Sequence, residues 1–275
     1  MILLSASDEM LPFKIFLLVI CFLLFVRFVL WIISMTGIFK YKKKKFTPAE
    51  IETIKSYLQE HLYYQNLSLK GKVRFFDRMI RFMINKEFLG MENLQVTDEM
   101  RARISACGIQ LTFGLDEYML PFFHSIRIFP KEFYSRFVES YLKGGTTQSG
   151  IVMVSWNNFT EGFAEPHDKY NLGLHEMAHA LLLDLLYGNE PNEHLKNHIG
   201  EWEFAGDIEM EKLKNRQPHF LRAYGGTNEH EFFAVSVEHF FEVPEEFKKN
   251  LPEVYKRLAI LLNQDPLNIS GDYQR

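Results

Sequence analysis

Between Leu172 and Leu183 the chain sets His175, Glu176 and His179 into an otherwise apolar run. Leu, Met and Ala favour helix and no proline interrupts them, so the run predicts a helix from about Asp168 to Leu186. At 3.6 residues per turn, His175 and His179 stand one turn apart on one face, with Glu176 about 100° round from His175. Leucines surround these polar groups, the pattern of a helix buried in a core. Buried imidazoles and a buried carboxylate are costly unless paired or bound to metal. The His-Glu-x-x-His spacing therefore points to a zinc site, with Glu176 placed to deprotonate an activated water.

Composition narrows the class. With 47% hydrophobic residues, 15% aromatics and 26 Phe among 275 residues, the chain can bury a large core. A net charge of −4 and a pI near 6.2 exclude the basic face of a nucleic-acid binder. The two cysteines, Cys21 and Cys107, make no CxxC pair, so a thiolate zinc site and a disulfide framework are both excluded. Cys107 reads as a small core residue.

The amino-terminal region has a different character. Residues 1–12 are a short leading segment. Phe13 to Met35 is apolar and long enough to span a bilayer, interrupted by Lys14 and Arg27, so residues 13–36 are expected to form one transmembrane helix. A secretory signal does not fit, because no basic region precedes the run and no small-residue cleavage site follows it. Lys40 and Lys42 to Lys45 lie in a basic linker, residues 37–46. The positive-inside rule then places the rest of the chain on the cytoplasmic side of the inner (plasma) membrane. The same lysines suit anionic lipid head groups.

From 47 to 267 the pattern is that of one mostly helical α+β domain with a small sheet, followed by a loose polar tail, 268–275. Thr47-Pro48-Ala49-Glu50 is a capping box that starts a helix to about Leu62. A second helix, 72–85, carries Val73, Phe76, Ile80 and Met83 on one face, with its arginines on a solvated one. A connection over 90–96 leads to a third helix, Asp98 to Thr112. Residues 125–130 and 151–156 read as strands. Residues 131–142 read as a helix, 144–150 as a flexible turn and 157–168 as a loop. Helices are expected over 194–215, 228–241 and, in one or two pieces, 244–263. His194 and His198 read as a surface pair without metal.

A catalytic zinc site needs a third protein ligand. The candidates are Glu201, Glu209, Glu211, His219, His230, Glu231, Glu238 and His239. Glu231 stands out because it precedes Phe-Phe-Ala-Val on a largely apolar helix. Glu238, two turns on, reads either as an acceptor for a ligating histidine's second nitrogen or as a partly solvated carboxylate.

These residues also carry a family resemblance. The chain resembles the Mlc titration factor A family, the glucose-regulated metallopeptidases, whose domains are similar to the catalytic domain of anthrax lethal factor. The matching features are Thr97-Asp98-Glu99-Met100, Ser155-Trp156, Asn171 before the His175–His179 motif, Glu231-Phe232-Phe233-Ala234-Val235 with Glu238, and Gln264-Asp265-Pro266-Leu267. The resemblance implies a zincin-like metallopeptidase fold, one zinc ion on His175, His179 and Glu231, Glu176 as general base, and Tyr224 as a catalytic tyrosine. It departs from the family at Met177, where Phe is usual, and at Leu181-Leu182, where a Leu-Asp pair is usual. Asp184 comes two places late, and the amino-terminal span is an addition.

The expected activity is peptide hydrolysis by a zinc-activated water, with Glu176 moving the proton and Tyr224 steadying the oxyanion. The strand holding Val154, Ser155 and Trp156 reads either as an edge that binds peptide substrate or as a plain core strand. The competing expectation is a zinc-containing binding module that sequesters a transcriptional regulator, or another protein, at the membrane.

Overall fold

The computed structural model describes residues 11–36, 46–189 and 192–275, which fall into two compact units divided after Lys45. In the first unit Leu11–Thr36 is a single 26-residue helix, α1. Its side chains are described for residues 14–29. Among the described residues no helix is long and apolar enough to cross a membrane. The leading residues 1–10 and the lysine run lie outside the described residues.

The second unit is a helical domain wrapped on one side of a four-stranded sheet. Its elements are α2 (Pro48–Ser56), α3 (Leu62–Gln65), α4 (Leu69–Asn85), β1 (Glu87–Gly90), α5 (Asp98–Thr112), β2 (Ser125–Phe129), β3 (Phe133–Ser135) and β4 (Ser140–Leu142). There follow β5 (Gly144–Thr147), β6 (Ile151–Ser155), α6 (Trp156–Ala164), α7 (Leu172–Tyr187), α8 (Glu193–Lys214), α9 (Glu229–Glu242), α10 (Pro244–Asn250) and α11 (Pro252–Leu261). The sheet order is β1-β2-β6-β5, parallel except for β5, which runs antiparallel to β6 at the edge. Strands β3 and β4 form a separate hairpin.

The capping box at Thr47 forms as expected, but α2 ends at Ser56. Helix α4 buries Phe75, Met79, Phe82 and Met83, while Val73 is exposed. The buried face is therefore rotated from the expected one. Two of its arginines are not simply solvated: Arg74 and Arg78 donate to the carbonyl of Phe113, and Arg78 also to that of Leu115, tying α4 to the end of α5. Small residues on α5 allow close helix packing: a Cβ at Gly108 would lie 3.3 Å from Phe82 and 3.5 Å from Met177. Helix α5 thus packs against both α4 and α7.

Other expectations are corrected. Residues 131–142 form the β3–β4 hairpin, with Tyr134 opposite Tyr141; their apolar residues recur at helical spacing, but Phe137, Val138 and Tyr141 are exposed, so no core face rewards a helix there. The glycine-rich 144–147 is strand β5 and not a flexible turn, its pairing with β6 compensating for poor strand propensity. Residues 156–164 form helix α6 where a loop is expected, and Glu87–Gly90 adds a strand. The carboxyl-terminal residues are not loose. Tyr273 is buried and stacked on Tyr63 at 4.0 Å, and Asp272 accepts from the Ser68 main chain and hydroxyl, which starts α4.

Candidate metal centre

Helix α7 is placed from its first turn. Asn171 caps it by accepting from the Leu174 N–H at 3.0 Å. A Cβ at Gly173 would come within 2.7 Å of Cys107 Sγ, so the missing side chain lets α7 lie directly on α5. His175 and His179 then face the same way, with their Nε2 atoms 3.1 Å apart. Glu231 stands in the first turn of α9, where its N–H is capped by Asn228 Oδ1 at 3.0 Å. Its Oε2 lies 3.1 Å from His175 Nε2 and 3.4 Å from His179 Nε2. One ligand atom from each of the three residues falls within a 4.8 Å cluster.

The donor set itself calls for a cation. His175 Nδ1 lies 2.8 Å from Glu238 Oε1; donating there turns Nε2 toward Glu231. Glu231 Oε2 is buried and has no hydrogen-bond partner among the described residues. Burial works against a proton on His175, yet Glu231 and Glu238 outweigh it and push the imidazole up to about 10. Glu231 is held well below the usual carboxylate range: its burial acts the other way but is overcome by the two histidines. The cluster thus demands positive charge, and two imidazoles with a carboxylate are a set that suits a metal ion.

The surrounding groups are ordered by hydrogen bonds. Glu238 also accepts from the Asn171 main-chain N–H at 2.7 Å and pairs with Arg222, whose guanidinium lies 3.9 Å from the Tyr170 ring centre. Glu176 is buried, which pushes its carboxyl up, and it accepts from Thr146 Oγ1 on β5 at 2.9 Å. Tyr224 sits on a short 3-10 turn, Ala223–Gly226, half exposed, with its ring centre 6.1 Å from that of His175. Burial, and then Glu231, push its phenol up to about 12, so it stays protonated as a donor. One open cleft is lined by His175, Glu176, Arg222 and Tyr224 together with Tyr141 and Gly144.

The structure therefore brings together His175, His179, Glu231, Glu176, Tyr224 and Glu238. It does not place Val154, Ser155 and Trp156 on an edge. Strand β6 is paired on both sides, Val154 and Ser155 are buried, and Trp156 begins α6. The edge strands of the sheet are β1 and β5, and β5 is the one beside Glu176. Glu209 instead pairs with His219, Glu201 with Arg257, and His239 Nδ1 with the Val235 carbonyl. Asp184 accepts from the Phe122 N–H, away from the centre. Arg222, Gly144 and Thr146 had no sequence signal, since each acts through a contact that only the fold creates.

A helix carrying two imidazoles one turn apart, with a carboxylate from a later helix closing the triangle, is a His-Glu-x-x-His arrangement that could hold a metal ion. The family model described as "Glucose-regulated metallo-peptidase M90" matches residues 38–261, and the chain belongs to that family. It is similar to the uncharacterized protein slr2042 of Synechocystis sp., 27% identical over 224 residues, covering 74% of this chain and 81% of that protein. It is also similar to Mlc titration factor A of Klebsiella pneumoniae subsp. pneumoniae, 28% identical over 213 residues, covering 68% of this chain and 77% of that one. The Mlc titration factor A of Yersinia pestis is 25% identical over 202 residues, with 66% and 73% covered.

Proposed function

We propose that this chain is a zinc-dependent peptidase tethered to the inner (plasma) membrane by residues 13–36, with its second unit on the cytoplasmic side. The observation that carries the reading is the meeting of His175 Nε2, His179 Nε2 and Glu231 Oε2 beside the buried Glu176. His175, His179 and Glu231 would hold a zinc ion, which would supply Lewis acidity to activate a water and a substrate carbonyl. Glu176 takes the proton at its carboxylate and passes it to the leaving amine. Burial, which raises its proton affinity, suits it to hold that proton between the two transfers. The Tyr224 phenol donates to the carbonyl oxygen as charge develops there. Glu238 fixes the His175 tautomer, and Asn171 and Arg222 fix Glu238. The open edge of β5 supports binding of peptide substrate as an added strand. The tether rests on the apolar run from Phe13 to Met35 in the sequence, and the orientation on the lysines that follow.

The test is cleavage of chromogenic peptides by the full chain. Activity that is lost to a chelator and restored by zinc is expected, with Glu176→Gln binding metal but turning over nothing. Undiminished cleavage by that variant overturns the assignment. Protease protection of the domain in spheroplasts reads its side of the membrane.

The name of the Klebsiella and Yersinia relatives, Mlc titration factor A, favours a second reading, a binding module for a protein regulator. Bound metal with no peptide cleaved, together with capture of a regulator by the full chain and by Glu176→Gln alike, would favour it.

A further inference from the structure

A buried carboxylate works as a base only if one oxygen is held while the other is left to take a proton. Strand β5 provides for both. Gly144 and Thr146 are two residues apart and so face the same side of the strand, toward α7. Their register is fixed by main-chain pairing to β6, Gly144 opposite Val154 and Thr146 opposite Val152. Gly144 leaves room, since a Cβ there would stand 2.4 Å from Glu176 Oε1. Thr146 supplies a donor, its Oγ1 lying 2.9 Å from Glu176 Oε2. That is the one hydrogen bond the Glu176 carboxyl makes among the described residues.

The two oxygens are therefore unequal. Oε2 is tied to Thr146, whereas Oε1 lies over Gly144, and Gly144 and Glu176 share the wall of the cleft that also holds His175 and Tyr224. The Thr146 hydroxyl has a second acceptor within reach, the main-chain carbonyl of Glu176 at 3.2 Å. Its single proton goes to the carboxylate, because a hydrogen bond to a charged acceptor is about twice as strong as one between neutral groups. Branching at Cβ restricts χ1, which keeps the hydroxyl aimed.

We infer that Thr146 is a positioning residue for peptide hydrolysis: its hydroxyl holds Oε2 and presents Oε1 to the cleft as the oxygen that moves the proton. Oε1 receives one proton from the water as the water oxygen bonds to the carbonyl carbon. It gives that proton to the amine nitrogen as the C–N bond breaks, and the carboxylate is regenerated. This assignment rests on the peptidase reading proposed above.

The experiment is steady-state cleavage of a chromogenic peptide by the full chain and by Thr146→Val, with zinc affinity read by chelator competition. Valine keeps the shape of threonine and favours a strand, so that variant removes the hydroxyl alone. A fall of tenfold or more in kcat is expected, with KM and zinc affinity within twofold of wild type. Thr146→Ser and Thr146→Ala form a second pair, which shares the loss of the methyl and differs only in the hydroxyl; the same tenfold difference is expected between them. Wild-type kcat in Thr146→Val, equal loss in the serine and alanine variants, or a fall in zinc affinity that matches the fall in kcat overturns the inference. The two readings fail separately. A wild-type chain that cleaves no peptide with zinc present, or cleavage by Glu176→Gln, removes the base and this inference with it. Turnover lost in Glu176→Gln but kept in Thr146→Val removes only the role of Thr146.

Discussion

A Cβ atom at residue 144 would lie 2.4 Å from Oε1 of Glu176, so the carboxylate occupies space that only glycine leaves open. Gly144→Ala should push Glu176 aside. A displacement of about 1 Å costs on the order of 10²-fold in rate. The expected outcome is a fall of that size in kcat for peptide cleavage, with metal content unchanged by elemental analysis. An unchanged kcat would show that Glu176 does not act from this position.

Removing the acceptor behind His175 should act on the metal instead. Glu238→Ala frees the His175 ring, deprives Arg222 of its partner and leaves the Asn171 N–H without its acceptor. Outer partners of this kind are worth about 10–100-fold in metal affinity. Competition with a chromophoric chelator should show zinc binding weakened in that range. Unaltered affinity would reduce Glu238 to a packing role.

Stability should fall in mild acid. Burial pushes both His61 and His239 down to about 4, so each is neutral in the folded chain where the unfolded chain takes up a proton below about 6.5. The unfolded state then binds more protons, and the stability present above pH 6.5 is lost progressively toward pH 4, roughly 3 kcal/mol for His61. His61 Nδ1 accepts from the Tyr64 N–H, a bond that a proton there would break. Glu242 acts in the opposite direction: raised to about 8, it adds stability as pH falls from 8 toward the ordinary carboxylate range. The comparison is therefore made with His61→Asn, which keeps a cap acceptor and should lose less of its melting temperature between pH 6.5 and 4.

Tyr273→Ala should destabilise the domain although it lies two residues before Arg275. It removes the stack on Tyr63 and the hydroxyl bond to the Tyr63 carbonyl. Truncating a buried aromatic of this size costs about 3–5 kcal/mol, which a urea titration would register as a lower midpoint. A shift within error would show the closing segment to be dispensable.

What could be read from the sequence was local and periodic. The His175–His179 spacing, the cap at Thr47, the prolines opening α10 and α11, and Glu231 on an apolar helix are all short-range signals with one structural meaning. The three-residue strands Phe133–Ser135 and Ser140–Leu142 are too short for a period to emerge from the helical alternative. Gly144 and Thr146 look like loop residues because glycine strands take their stability from the neighbour they pair with. Arg222, in turn, becomes significant only when Glu238 arrives from another element. Tyr224 owes its assignment to the family pattern, and its half-exposed ring beside His175 is compatible with that role.

The antiparallel pairing of β5 has a consequence for how a base and a binding edge share residues. The Lys143 carbonyl accepts from the Ser155 N–H, so it turns toward β6. By the alternation of an antiparallel ladder, Gly145 and Thr147 turn inward too, while the main chains of Gly144 and Thr146 turn outward. Those are the two residues that pack against and hydrogen-bond Glu176. A peptide zipping onto this edge would therefore grip the same two residues that seat the carboxylate, and a one-residue slip of β5 would disable docking and proton transfer in a single stroke.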